Sequence, residues 1–180
     1  MAMLSPRNWR TLMALAVFWP SLAVADDQRG ALDPRVTQNN IQQTICRRGW
    51  VASVRPSAEF ANSVKRSMMV DQGWENAADV ELGHIVPLEL GGAVRDLKNL
   101  WLQPLHGPWN AHCKDALAVE LSKAVCKGDA KLADAQDEIR KNWRASYRRR
   151  IDPHGCESGM ETSPKSVVPA QPFVNRGTPR

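Results

Sequence analysis

Two short apolar runs flank a Gly-Gly pair, and a helical pattern follows them within a few residues. Val80 to Leu90 and Lys98 to Leu102 are the runs, and the turn between them begins at Gly91-Gly92. Trp109 to Cys126 then carries Leu117, Leu121 and Val125 at intervals of four, the period of one buried helix face. Apolar runs this short, broken by glycine, read as strands. The chain must therefore hold a strand, a strand and a helix in that order, with Pro104 and Pro108 in the connection to the helix.

The flanking segments add helices. Thr37 is placed to cap a short helix through Ile45, and Ser57 to cap one over residues 58–69 in which Phe60, Val64 and Met68 share a face. Residues 49–55 read as a short strand ending at Pro56. Residues 131–149 place Leu132, Ala135, Ile139, Trp143 and Tyr147 on one stripe. The fold class expected is a small α+β domain over residues 36–150. Residues 26–36 read as a mobile lead-in, and residues 151–180, rich in Pro, Ser, Gly and Thr, as a disordered tail.

The N-terminus has the pattern of an export signal. Arg7 and Arg10 precede an apolar stretch from Leu12 to Trp19, and Ala23-Val24-Ala25 supplies a small-x-small cleavage site. Residues 1–25 are expected to be removed, leaving a periplasmic or secreted chain. Their loss takes away two arginines and no acid, so the mature chain is only mildly basic. Bulk charge does not argue for a nucleic-acid partner. The clusters Arg47-Arg48, Lys65-Arg66 and Arg144 to Arg150 are local. Four cysteines, Cys46, Cys113, Cys126 and Cys156, suit an oxidising compartment. None forms a CxxC pair, which argues against a structural zinc site.

The polar residues within the strand-strand-helix unit carry the chemistry. His84 lies in the first run as Gly83-His84-Ile85-Val86-Pro87, Asn99 opens the second as Asn99-Leu100-Trp101, and Asn110, His112, Lys114 and Asp115 start the helix. Imidazole titrates near neutral pH, so His84 is the candidate general base for activating water. Asn99 is the candidate for holding the loop or ring that positions it. Lys114 is the candidate for neutralising a phosphate oxygen.

This constellation resembles the HNH, or ββα-metal, nuclease motif. The chain is similar to small exported bacterial proteins with an HNH-like domain from residue 36 to 150. The matching segments include Val36-Thr37-Gln38, Glu81 to Gly92, Asn99-Leu100-Trp101, Lys114-Asp115 and Asn142-Trp143. The resemblance implies a ββα-metal core, catalytic His84 and Asn99, and one divalent cation (Mg²⁺, Mn²⁺, Zn²⁺ or Ni²⁺). His112, with Asn110, Glu81 or Asp115, would hold that cation. DNA or RNA is the implied substrate. Cys46 and Cys126, which end apolar helical stretches in matching segments, are expected to pair. Cys113 and Cys156 stay open. One departure sets up a competing expectation. The residue before the base is normally a metal-ligating Asp or His, and here it is Gly83. Glu81, on the same strand face, is the compensating candidate. Without it, the chain would be a catalytically degenerate binding module.

Overall fold

Val80–His84 (β1) and Leu100–Pro104 (β2) pair antiparallel, Val80 opposite Pro104 and His84 opposite Leu100. They belong to a computed structural model that describes residues 29–156. The expected signal peptide and residues 157–180 lie outside the described residues. Four helices accompany the sheet among the described residues: α1 (Trp50–Val54), α2 (Ala58–Gln72), α3 (Ala111–Lys127) and α4 (Leu132–Arg150). The domain is mixed α+β, with β1, β2 and α3 in the expected order.

Five local expectations change. The segment after Thr37 is a single 3₁₀ turn, Gln38–Asn40, followed by turns, rather than a helix through Ile45. β1 ends at His84 rather than running to Leu90. Ile85 N–H still donates to Asn99 O, but Val86 N–H is taken by the Asn99 side chain, and Pro87 has no N–H to offer. Leu88–Leu90 forms a single 3₁₀ turn, closed by Gly91 at φ 72°. The apolar character of this stretch serves the core instead, where Val86 and Leu90 are fully buried. Residues 50–54 are helical, not a strand. Gly49 turns the chain at φ 81°, and Trp50, Val51 and Val54 then face the core at i, i+1 and i+4, a helical spacing. The lead-in is tied down: Gly30 N–H donates to Lys98 O, Asp33 N–H to Gly91 O, and Ala31 O accepts from Ala93 N–H. The structured chain also continues past residue 150, as Trp109 N–H donates to Cys156 O.

Two apolar clusters hold the elements together. Met69 of α2 packs with Val80 and Leu102, placing α2 on one face of the sheet. Phe60, Val64 and Met68 are half-buried there. The larger core joins α3 to α4 and to the N-terminal turns. Leu117, Leu121 and Val125 have no exposed surface and meet Leu132, Ala135 and Ile139. Each such side chain contributes about 1.5–3 kcal/mol, so this helix pair dominates the packing. Cys46 bonds to Cys126 and Cys113 to Cys156. The first is the expected pair, and both suit an oxidising compartment. Among the described residues no helix is long and apolar enough to cross a membrane.

α4 is not straight. Asn142 has φ −158° and ψ 75°, and its Oδ1 accepts from Ala145 N–H, so it caps the second half of the helix. In a straight helix Glu138 and Arg150 would stand about 18 Å apart. The bend brings them into contact: Glu138 accepts from Ser146, Arg149 and Arg150.

Candidate functional site

Asn99 organises the loop between the strands. Its side chain is fully buried. Oδ1 accepts from Val86 N–H at 2.8 Å, and Nδ2 donates to Val86 O at 3.0 Å and Ala93 O at 2.9 Å. Buried peptide groups left unpaired cost about 1–3 kcal/mol each, so one side chain secures the whole Val86–Ala93 excursion. Gly92 is required by the same packing, because a Cβ there would collide with Val86 O and the Asn99 amide.

This loop fixes His84. The ring Nε2 lies 3.1 Å from Val94 O, and a carbonyl can only accept. Nε2 therefore carries the proton in the neutral ring, and Nδ1 keeps the lone pair. Burial lowers the imidazole pKa, the Val94 carbonyl opposes that shift, and the nearby Lys114 charge reinforces it. His84 is thus neutral and available as a base at physiological pH.

Across from β1, α3 places Lys114 against the same strand. Its Nζ donates to His84 O at 2.7 Å and lies 5.8 Å from the centre of the Trp101 ring. The residue is 3% exposed. Burial pulls its pKa down to about 8, against the pull of Asp115, Glu89 and Glu81. A cavity of about 620 Å³ opens between β1, α2 and α3. His84, Lys114, Glu81, Glu89, Asp115 and Arg55 supply its charged or titratable lining. The Asp115 carboxyl is pushed up by burial and by the charges of Glu81 and Glu89.

The structure separates the residues expected to act together. His84, Glu81, Lys114 and Asp115 converge on the cavity. Asn99 does not line it; it holds the loop beside Val94, whose carbonyl meets the His84 ring. Asn110 caps α3: Oδ1 accepts from Cys113 N–H and Nδ2 donates to Gly107 O. His112 is exposed on α3, outside the cavity lining. Among the described residues no group of three or more His, Cys, Asp or Glu side chains is placed to hold a metal ion. His112 and Asn110 stand apart from the cavity that Glu81 and Asp115 line, and Lys114 and Arg55 are cations of that lining. Glu81, Glu89 and Asp115 are carboxylates of the kind that hold hard cations, but among the described residues no three such groups come together to ligate one.

Gln103, Glu89 and Arg55 escaped the sequence reading. Gln103 sits opposite Glu81 in the strand register and donates to Glu81 Oε1 at 2.5 Å. Its amide lies over Gly83, where a Cβ would come within 2.7 Å of it, and its Oε1 is buried without a partner. The strand register is what sets Gln103 on the Glu81 face and over Gly83. No protein-family profile, curated protein or solved structure matches this chain.

Proposed function

We propose that this chain is an exported HNH-like hydrolase of phosphodiester bonds in DNA or RNA, with His84 as the general base. The observation that carries the reading is the oriented imidazole. Its proton is held on Nε2 by Val94 O, and His84 lines a cavity whose lining also holds the buried Lys114 ammonium, bonded to the His84 carbonyl. His84 Nδ1 takes a proton from water as the oxygen attacks phosphorus, the ester P–O bond on the far side breaks, and the departing alkoxide takes a proton from solvent. Lys114, with N–H donors beyond the one given to His84 O, stabilises charge on the phosphate oxygens. Asn99 holds the loop that orients the base. General-base catalysis of this kind contributes about 10²–10⁴-fold.

The cavity's charge favours a second reading. Glu81, Glu89 and Asp115 outnumber Arg55 and Lys114 in its lining, which opposes a polyanion and suits a binding module for a cationic ligand. Plasmid nicking and hydrolysis of bis(p-nitrophenyl) phosphate by the purified disulfide-bonded chain separate the two. The hydrolase reading expects turnover that survives EDTA and falls at least a hundredfold in His84→Ala. Turnover that appears only with added Mg²⁺ or Mn²⁺ would return the cation role to a metal. No turnover under any condition would leave the binding module.

A further inference from the structure

The basic end of α4 divides into two kinds of residue. Arg149 and Arg150 share a salt bridge to Glu138, and Arg140 and Lys141 one to Asp137. Arg144 and Arg148 are exposed, and among the described residues neither makes a salt bridge. Both lie against an indole instead. Arg148 Cζ is 4.7 Å from the Trp109 ring centre, and Arg144 Cζ is 5.7 Å from those of Trp109 and Trp143.

The platform beneath them is built. Trp109 holds φ 59°, uncommon outside glycine. Its N–H donates to Cys156 O at 3.0 Å, and Cys156 is bonded to Cys113 at the start of α3. Trp143 and Tyr147 meet its ring edge-on at 5.6 and 5.7 Å. Core packing explains Trp143 and Tyr147, but it does not explain two unneutralised guanidinium groups laid on one indole.

We propose that Arg144 and Arg148, stacked on Trp109, form a clamp for the phosphodiester backbone of nucleic acid. A stacked guanidinium has lost much of its freedom, and its N–H edges remain to grip a phosphate in two-point fashion. The i, i+4 spacing sets the two side chains about 5–6 Å apart at Cβ, so both address one strand. Two guanidinium groups held over one indole suit two-point contact with a phosphodiester better than diffuse attraction to an anionic membrane, which makes vesicle binding the competing outcome of the test. The clamp rests on the hydrolase reading in one respect: it gives that substrate a second hold, on residues outside the cavity lining.

Fluorescence anisotropy of a short labelled DNA duplex, in EDTA and across a salt series, tests it. Arg144→Gln/Arg148→Gln should weaken binding at least about tenfold and lower the log–log salt slope by about 2. Arg47→Gln/Arg48→Gln removes the same charge elsewhere on the surface and should change little. Should the Gln pair perturb the near-ultraviolet circular dichroism, Arg144→Lys/Arg148→Lys replaces it and should still weaken binding by losing the planar fork. Equal losses in the two Gln pairs, binding by wild type only to phosphatidylserine vesicles, or no binding at all would each overturn the clamp. Turnover of bis(p-nitrophenyl) phosphate, too small to span both sites, keeps the two ideas apart. Its absence with arginine-dependent duplex binding removes the hydrolase and keeps the clamp. Its presence with unchanged binding does the reverse.

Discussion

Two residues set how the proposed chemistry should depend on pH. His84 acts when neutral, and burial lowers its pKa from 6.5, so the acidic limb of kcat/KM should lie below that value. Lys114 acts when charged, and its pKa of about 8 places an alkaline limb near pH 8. Lys114→Arg keeps the charge to far higher pH and should remove the alkaline limb; an unmoved limb would release Lys114 from the role. Gly83 yields a different expectation from the one its identity suggests. An aspartate there would meet the Gln103 amide within 2.9 Å. Gly83→Asp alone should cost about 1–3 kcal/mol by overpacking. Combined with Gln103→Ala, it should recover stability and show Mg²⁺ binding by titration calorimetry. Full stability in the single variant would show that Gln103 yields freely.

Among the elements, α4 has the clearest dependence on a few contacts. Its bend at Asn142 lets Glu138 gather Arg150, Ser146 and Arg149, and the Arg150 hydrogen bonds foremost hold the Glu138 pKa near 2 against an ordinary 4.5. A carboxylate depressed in the folded state stabilises fully above its unfolded pKa and loses that contribution as pH falls through its folded one. Wild type should therefore melt above Glu138→Gln at neutral pH, with the gap closing between about pH 4.5 and 2. A gap that persists at pH 2 would assign the difference to packing rather than charge. α1 shows how an element is misjudged at this scale. Trp50, Val51 and Val54 among small residues resemble a strand by composition, yet Gly49 starts a single helical turn that buries Trp50.

For the molecule as a whole, the disulfides join what the sheet does not. Cys46–Cys126 ties the N-terminal turns to the end of α3 across 80 residues, and loops of that size give about 2–5 kcal/mol. Cys46→Ser/Cys126→Ser should lower stability by that amount in denaturant titration; an unchanged midpoint would mean the α3–α4 core suffices alone. The order of β1, β2 and α3, the stripes of α3 and α4 and the α+β class were legible in the sequence. Those signals act over a few residues: a glycine pair, a proline, an apolar repeat. The site was legible only in part. Lys114 reaches His84 O from 30 positions away, and Gln103 covers Gly83 from the other strand. Both depend on register and helix rotation. Once Leu117 faces α4, helical geometry puts Lys114 about 60° from it and His112 about 140°, so one enters the cavity edge and the other turns to solvent. The sequence by itself singled out His84, Lys114, Glu81 and Asp115 as candidates. The tertiary structure decided which of them meet, because convergence is set by how whole elements pack against one another.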